Sequence, residues 1–259
     1  RPGFKSHETN REKENEMKLK KLLLAMSLGL VLPFAAFANE PMDEGRVKEL
    51  VLEAIRENPE IVMEAVAILE QKQAAEAELA RVNVLETERD RIERDPNAPV
   101  LGNPDGDVTV VEFFDYNCPY CRRAMPEVQG LLDADPNVRL VYREWPILGE
   151  GSVFAARAAL ASRKQGKYEE FHWAMMQLKQ RAEEATIIRV AEDIGLDVAQ
   201  LRRDMTAPEI EEHIQTSMRL AQSLGFSGTP SFVIGDSLAP GLIQADQMIE
   251  LVDQARAAE

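Results

Sequence analysis

Cys118 and Cys121 are the only cysteines in the chain, and Pro119 and Tyr120 separate them. At this spacing the second thiol can curl back over the first, so the pair can close a disulfide and reopen it. They follow the run Val108-Thr-Val-Val-Glu-Phe-Phe114, which is apolar and β-branched or aromatic and reads as a core strand. Asp115-Tyr-Asn117 then turns the chain, and Pro119 stands at the position a helix tolerates best. A thiol at a helix start faces unpaired backbone N–H groups and the positive end of the helix dipole, which favour thiolate over thiol. These residues therefore point to thiol–disulfide exchange.

Other uses of the pair fit less well. A structural zinc site needs four ligands, no further cysteine exists, and His7, His172 and His213 show no ligand spacing. A purely structural disulfide across so short a loop would constrain little of the unfolded chain. Binding of a soft metal by the two thiols remains the alternative. No cofactor is expected.

The elements that must position this pair begin well downstream of the start of the chain. Met17-Lys-Leu-Lys-Lys21, the apolar run 22–37 and the small-x-small end Ala36-Phe37-Ala38 read as a secretory signal peptide cleaved after Ala38. Residues 1–16 read as translation upstream of the real start at Met17. A signal of this kind implies an oxidising compartment, the periplasm, where a dithiol can cycle. Residues 1–38 hold seven of the 30 Lys/Arg and four of the 45 Asp/Glu, which leaves the remainder at a formal charge of −18. Nucleic-acid binding is disfavoured, because phosphate contacts need clustered Lys and Arg.

Residues 39–95 read as helix. Asp43 can cap a first helix carrying Val47, Leu50, Val51, Ala54 and Ile55, and a second begins at Pro59 with Ile61, Val62, Ala65, Val66, Ile68 and Leu69. Beyond Gln71 the apolar stripe thins to Ala75, Leu79, Val82 and Leu85, as expected of a solvated connector or of a helix that meets copies of itself. The apolar head at 47–69 is too small to stand alone, which favours self-association, with docking onto its own catalytic domain as the alternative. Asp95-Pro-Asn-Ala-Pro99 marks a boundary. After it come an edge segment at 100–101, the strand 108–114, a second strand at 138–142, and a helical block over about 150–225 punctuated by Gly166, Gly195, Pro208 and Gly225. A strand at 231–234, a turn at Gly235-Asp236 and a weak strand near Leu242 form a hairpin, and Ala245–Ala258 reads as a closing amphipathic helix.

Phe113-Phe114-Asp-Tyr-Asn-Cys-Pro-Tyr-Cys121 and Gly228-Thr229-Pro230-Ser-Phe-Val233, in this order of elements, resemble the DsbA-type periplasmic disulfide oxidoreductases. The resemblance covers residues 97–259 and implies an α/β, thioredoxin-like fold with a helical insertion. Residues 42–95 resemble the N-terminal oligomerisation domain of the copper-tolerance ScsC group. Carried onto this sequence, the resemblance makes Cys118 the nucleophile and Cys121 the resolving thiol. It also makes Pro230 a cis-proline beside a client-binding Thr229, Tyr120 part of the site, Glu112 a buried acid under the dithiol and Pro126 a helix-kinking proline. It implies cysteine-containing exported proteins as clients, a membrane redox partner of DsbB or DsbD type, and a homo-oligomer, with a trimer favoured. The most oxidising members carry Pro-His between the cysteines, so Pro119-Tyr120 implies a less extreme potential. Arg122 and Arg123 could partly compensate for the missing imidazole but read first as solvated, and His172, Trp173, Met125, Met175 and Met176 read as packing residues. The function implied is disulfide isomerase, reductase or oxidase, with copper sequestration by the same dithiol as the alternative.

Overall fold

The computed structural model describes residues 43–258, so the expected upstream residues 1–16 and signal peptide 17–38 lie outside the described part. The chain divides into two units, with the boundary in the sequence between Ala65 and Val66.

In the first unit, helix α1 spans Glu44–Glu57 and is capped by Asp43, whose carboxylate accepts the Arg46 N–H at 2.7 Å. Helix α2, Glu60–Glu93, starts directly after Pro59. No residue of α1 is buried: Leu50 stays 40 % exposed and Val51 52 %, and at the head of α2 Met63 is 68 % exposed.

The second unit is built on a five-stranded sheet in the order β1-β3-β2-β4-β5, with β1 Val100–Gly102, β2 Val108–Phe114, β3 Val138–Glu144, β4 Ser231–Ile234 and β5 Ser237–Pro240. Strands β2 and β3 run parallel, and helix α3, Pro119–Ala134, makes the crossover that such a pair requires. The other pairings are antiparallel. Because β2 is buried on both faces, its side chains divide by alternation. Val108, Val110 and Phe114 join the core shared with α3 and the insertion, whereas Val111 and Phe113 join a second core on the opposite face. Glu112 therefore lies on the α3 face, flanked in register by Tyr142 and Phe232.

The insertion comprises α4 (Glu150–Ser162), α5 (Tyr168–Met176), α6 (Glu184–Asp193), α7 (Val198–Asp204) and α8 (Pro208–Ser223). Gly166 and Gly195 terminate their segments in the left-handed region, at φ of +68° and +75°, which glycine enters without steric cost. Helix α9, Ala245–Ala258, packs beside α3 and closes the domain.

Three details depart from the sequence reading. The last strand is Ser237–Pro240 rather than a segment near Leu242, because the two-residue turn Gly235-Asp236 obliges the chain to pair at once. Strand β3 runs on to Arg143 and Glu144, both buried despite their ionisable side chains. The C-terminal turns of α2 are not a solvated connector: Leu85 and Ile92 are buried in the second core against Phe113, Trp145, Leu224 and Phe226. There the last turns of α2 and the residues after it are also tied down by polar contacts. Arg143 Nη1 reaches Asp95 Oδ2 at 2.6 Å, Arg139 donates to the Glu93 carbonyl, and Arg89 pairs with Asp236. Among the described residues, no helix is long and apolar enough to cross a membrane.

Candidate active site

Cys118 is the N-cap residue of α3 and Pro119 is its first helical residue, so the sulfur sits where the helix presents its unpaired N–H groups. Both cysteines are reduced. Cys118 lies just under the surface and Cys121 lies deep. The Cys118 Sγ is 3.1 Å from the Thr229 carbonyl oxygen, which accepts the thiol proton when one is present. The neighbouring Cys121 thiol, which can donate to the Cys118 thiolate, is the largest influence pulling Cys118 down to about 5. The Thr229 side chain and the N–H groups of Cys121 and Tyr120 act in the same direction, against the cost of burial. Burial, the bond to Cys118 and the nearby Glu112 carboxyl push Cys121 far the other way. The two thiols are thus held in opposite protonation states near neutrality.

Glu112 is 2 % exposed on the α3 face of β2. Burial, and then the Cys118 thiolate, raise its acid midpoint to about 8. The Thr229–Pro230 peptide bond is cis, with Pro230 buried and Thr229 partly open. Cys118, Cys121, Glu112 and Thr229-Pro230 therefore share one site. Tyr120 points outward instead, 52 % exposed, with the Arg123 guanidinium 4.2 Å from its ring centre.

The loop ahead of Cys118 is held by side chains that its reading as a simple turn does not anticipate. Asp115 accepts the Asn117 N–H at 2.7 Å and, through its other oxygen, the N–H groups of Ile147 and Leu148, both at 2.9 Å. Asn117 clasps Ala182 from both sides, accepting its N–H at 2.7 Å and donating to its carbonyl at 3.1 Å, and also donates to Ser152 Oγ. Arg122, read from the sequence as solvated, is half-buried and bonds the carbonyls of Tyr116 at 3.1 Å and Gln180 at 3.0 Å. His172 packs among aromatic rings as expected, and its Nδ1 also lies 3.1 Å from the Tyr116 hydroxyl. Glu144, which nothing in the strand pattern singles out, completes this buried group. The one available signal was the run of three polar or aromatic residues immediately before Cys118.

The DSBA-like thioredoxin domain model matches residues 109–253, more than half of the chain, and the copper resistance protein ScsC N-terminal domain model matches residues 43–76. A thioredoxin-like oxidoreductase from Silicibacter pomeroyi is 68 % identical, with a TM-score of 0.65, over 66 % of this chain and 99 % of that one. Proteus mirabilis ScsC in a compact conformation is 30 % identical, with a TM-score of 0.64, over 83 % of this chain and 99 % of that one. Among curated relatives, the Na(+)/H(+) antiporter NhaA 3 of Salinispora tropica is 33 % identical over 52 % of this chain, which spans only 21 % of that protein. On the matched domain, and on the dithiol geometry it encloses, this chain belongs to the DsbA-like thioredoxin family of thiol–disulfide oxidoreductases.

Proposed function

We propose that the protein exchanges disulfides with cysteine-containing exported proteins in the periplasm, using Cys118 as nucleophile and Cys121 as resolving thiol. The observation that carries this reading is the unequal pair: a shallow Cys118 held as thiolate beside a deep Cys121 held as thiol. The Cys118 thiolate attacks one sulfur of a client disulfide, the client S–S bond breaks, and the displaced client thiolate leaves to take up a proton. The Cys118 charge is then gone, which removes one of the two influences holding Glu112 protonated. The Glu112 carboxylate accepts the Cys121 proton, and the Cys121 sulfur attacks Cys118 Sγ. The client leaves as a thiol, two electrons have passed to it, and Cys118–Cys121 is now the disulfide. In isomerisation a second client thiolate attacks the mixed disulfide instead and returns Cys118 to its starting state. Thr229, whose carbonyl faces the Cys118 sulfur, and Pro230 beside it are the surface on which the client backbone would lie, and Tyr120 is the exposed ring nearby.

The apolar faces left open on α1 and the start of α2 support a homo-oligomer held by these helices, which favours an isomerase or reductase over a single-site oxidase. Re-reduction of the dithiol would fall to a membrane partner of DsbD type. The test is trapping: Cys121→Ala should accumulate mixed disulfides with client proteins, and Cys118→Ala should not. Equal trapping by both variants reverses the roles. Trapping by neither removes the exchange reading and leaves a dithiol that serves only to hold a soft metal.

A further inference from the structure

Glu144 ends β3 directly across the sheet from Phe114, the last β2 residue before the loop that carries Cys118. It is 1 % exposed, and no cationic side chain is bonded to it among the described residues. Its Oε1 accepts the Tyr168 hydroxyl at 2.9 Å and lies 3.4 Å from that of Tyr116, while its backbone N–H donates to His213 Nε2 at 3.1 Å. The Tyr116 hydroxyl in turn meets His172 Nδ1. Tyr168 and His172 both belong to α5, so one carboxyl joins the end of the central sheet, the insertion and the residue two before Cys118. Burial raises Glu144 well above the ordinary carboxylate range, which favours its neutral form. Burying a carboxyl in such surroundings is costly unless its bonds are made, and a core strand gains nothing in packing from a Glu over a Leu.

We infer that Glu144 is a positioning residue for the dithiol: through Tyr116 and Tyr168 it fixes the 115–117 loop against α5, and so sets how the first N–H groups of α3 meet the Cys118 sulfur. The inference rests on the exchange reading above. Other bonds hold the same loop from Asp115, Asn117 and Arg122, so removing Glu144 loosens the loop without releasing it.

The test reads the Cys118 thiolate by ultraviolet absorbance titration, together with the rate of exchange on a small disulfide. Glu144→Leu should raise the Cys118 midpoint by roughly half to one pH unit, about the worth of one hydrogen bond, and slow exchange at neutral pH. Glu144→Gln keeps the shape and an acceptor oxygen and should restore both readings. Tyr168→Phe deletes only the 2.9 Å bond and should give a smaller rise in the same direction, which decides the matter if Glu144→Leu does not fold. A purely structural role would lower stability and leave the midpoint where it is. An unmoved midpoint in folded Glu144→Leu, or in Tyr168→Phe, overturns the inference. Absence of exchange in the wild-type protein would instead overturn the function proposed above, because the titration is read without a client.

Discussion

The Cys118 sulfur lies 3.1 Å from the Thr229 carbonyl oxygen, across 111 residues of chain. The thiol form donates to that carbonyl, whereas the thiolate is met by the Cys121 thiol, the Thr229 side chain and the first N–H groups of α3. Deprotonation therefore exchanges one partner for several, which is why the site favours the charged sulfur even though it is shielded from water.

The first expectation follows directly. Thiolate absorbance of the reduced protein should titrate with a midpoint near 5, and Cys121→Ala should move it upward because the leading hydrogen-bond donor is lost. The folded value lies below that of a free thiol, so this group stabilises the reduced fold at high pH, and that contribution disappears as pH falls through about 5. Reduced wild-type protein should gain stability over Cys118→Ala as pH rises from about 5 to about 9. Parallel denaturation curves across that range would contradict the thiolate assignment.

Glu112 carries the opposite sign. Its acid midpoint is raised from 4.5 to about 8, so the neutral carboxyl contributes fully below 4.5 and that contribution is lost as pH rises through 8. Glu112→Gln should therefore become the more stable protein above neutrality, by a margin on the order of a few kcal/mol at alkaline pH. The same variant removes the acceptor for the Cys121 proton. Stopped-flow measurement of mixed-disulfide decay should show resolution slowed by roughly a hundredfold, with the initial attack by Cys118 nearly unchanged.

The parts of this site that sequence alone disclosed were those whose side-chain type leaves little choice. A paired cysteine after a mostly apolar strand, a proline at the first helical position and glycines at helix ends each have one comfortable setting. What stayed hidden depends on partners distant in the chain. Arg122 looks like a surface arginine until the carbonyls of Tyr116 and Gln180 are seen around it. Glu144 sits at a strand end, where a charged residue usually marks the return to solvent, yet Tyr168 and Tyr116 supply the bonds that let it stay inside. The C-terminal turns of α2 were opaque for a different reason. Two buried side chains, Leu85 and Ile92, anchor that stretch, and so sparse a pattern cannot be told from a solvated helix without the sheet it covers.

Asp95 should matter for stability out of proportion to its place in a linker. It supplies the carboxylate 2.6 Å from the fully buried Arg143, whose Nε and Nη2 find no partner among the described residues, and it lies 3.9 Å from His213 Nδ1. Asp95→Ala leaves an uncompensated buried guanidinium and should cost about 3–5 kcal/mol in a denaturant titration. Arg143→Met paired with Asp95→Leu should recover most of that loss. A cost below ~1 kcal/mol in the single variant would mean that water reaches Arg143 and screens it.

The open apolar faces at the N-terminal end supply the last expectation. Val47, Leu50, Val51 and Leu52 on α1, and Ile61, Val62, Met63, Ile68 and Leu69 on α2, are each at least 40 % exposed. So much apolar area on two slender helices marks an interaction surface, and we propose that copies of the chain cover it. Light scattering should report an oligomer for the chain from residue 39 onward, and a monomer in which two or more of these residues are changed to Lys or Glu. A truncation test must respect the packing of α2. Cutting at Asp95 would strip Leu85 and Ile92 from the second core and expose Phe113 and Trp145, so the loss of activity would report damage rather than disassembly. Removal of residues 39–76, which takes away the whole stretch 43–76 that matches the ScsC N-terminal model, leaves those contacts intact. That shortened protein should be a folded monomer with an unchanged Cys118 titration and unchanged insulin reduction. Its activity on a scrambled client should fall, because one particle no longer brings several dithiols to the same misfolded chain. A monomeric full-length protein would refute assembly, and full isomerase activity in the shortened form would refute its link to function.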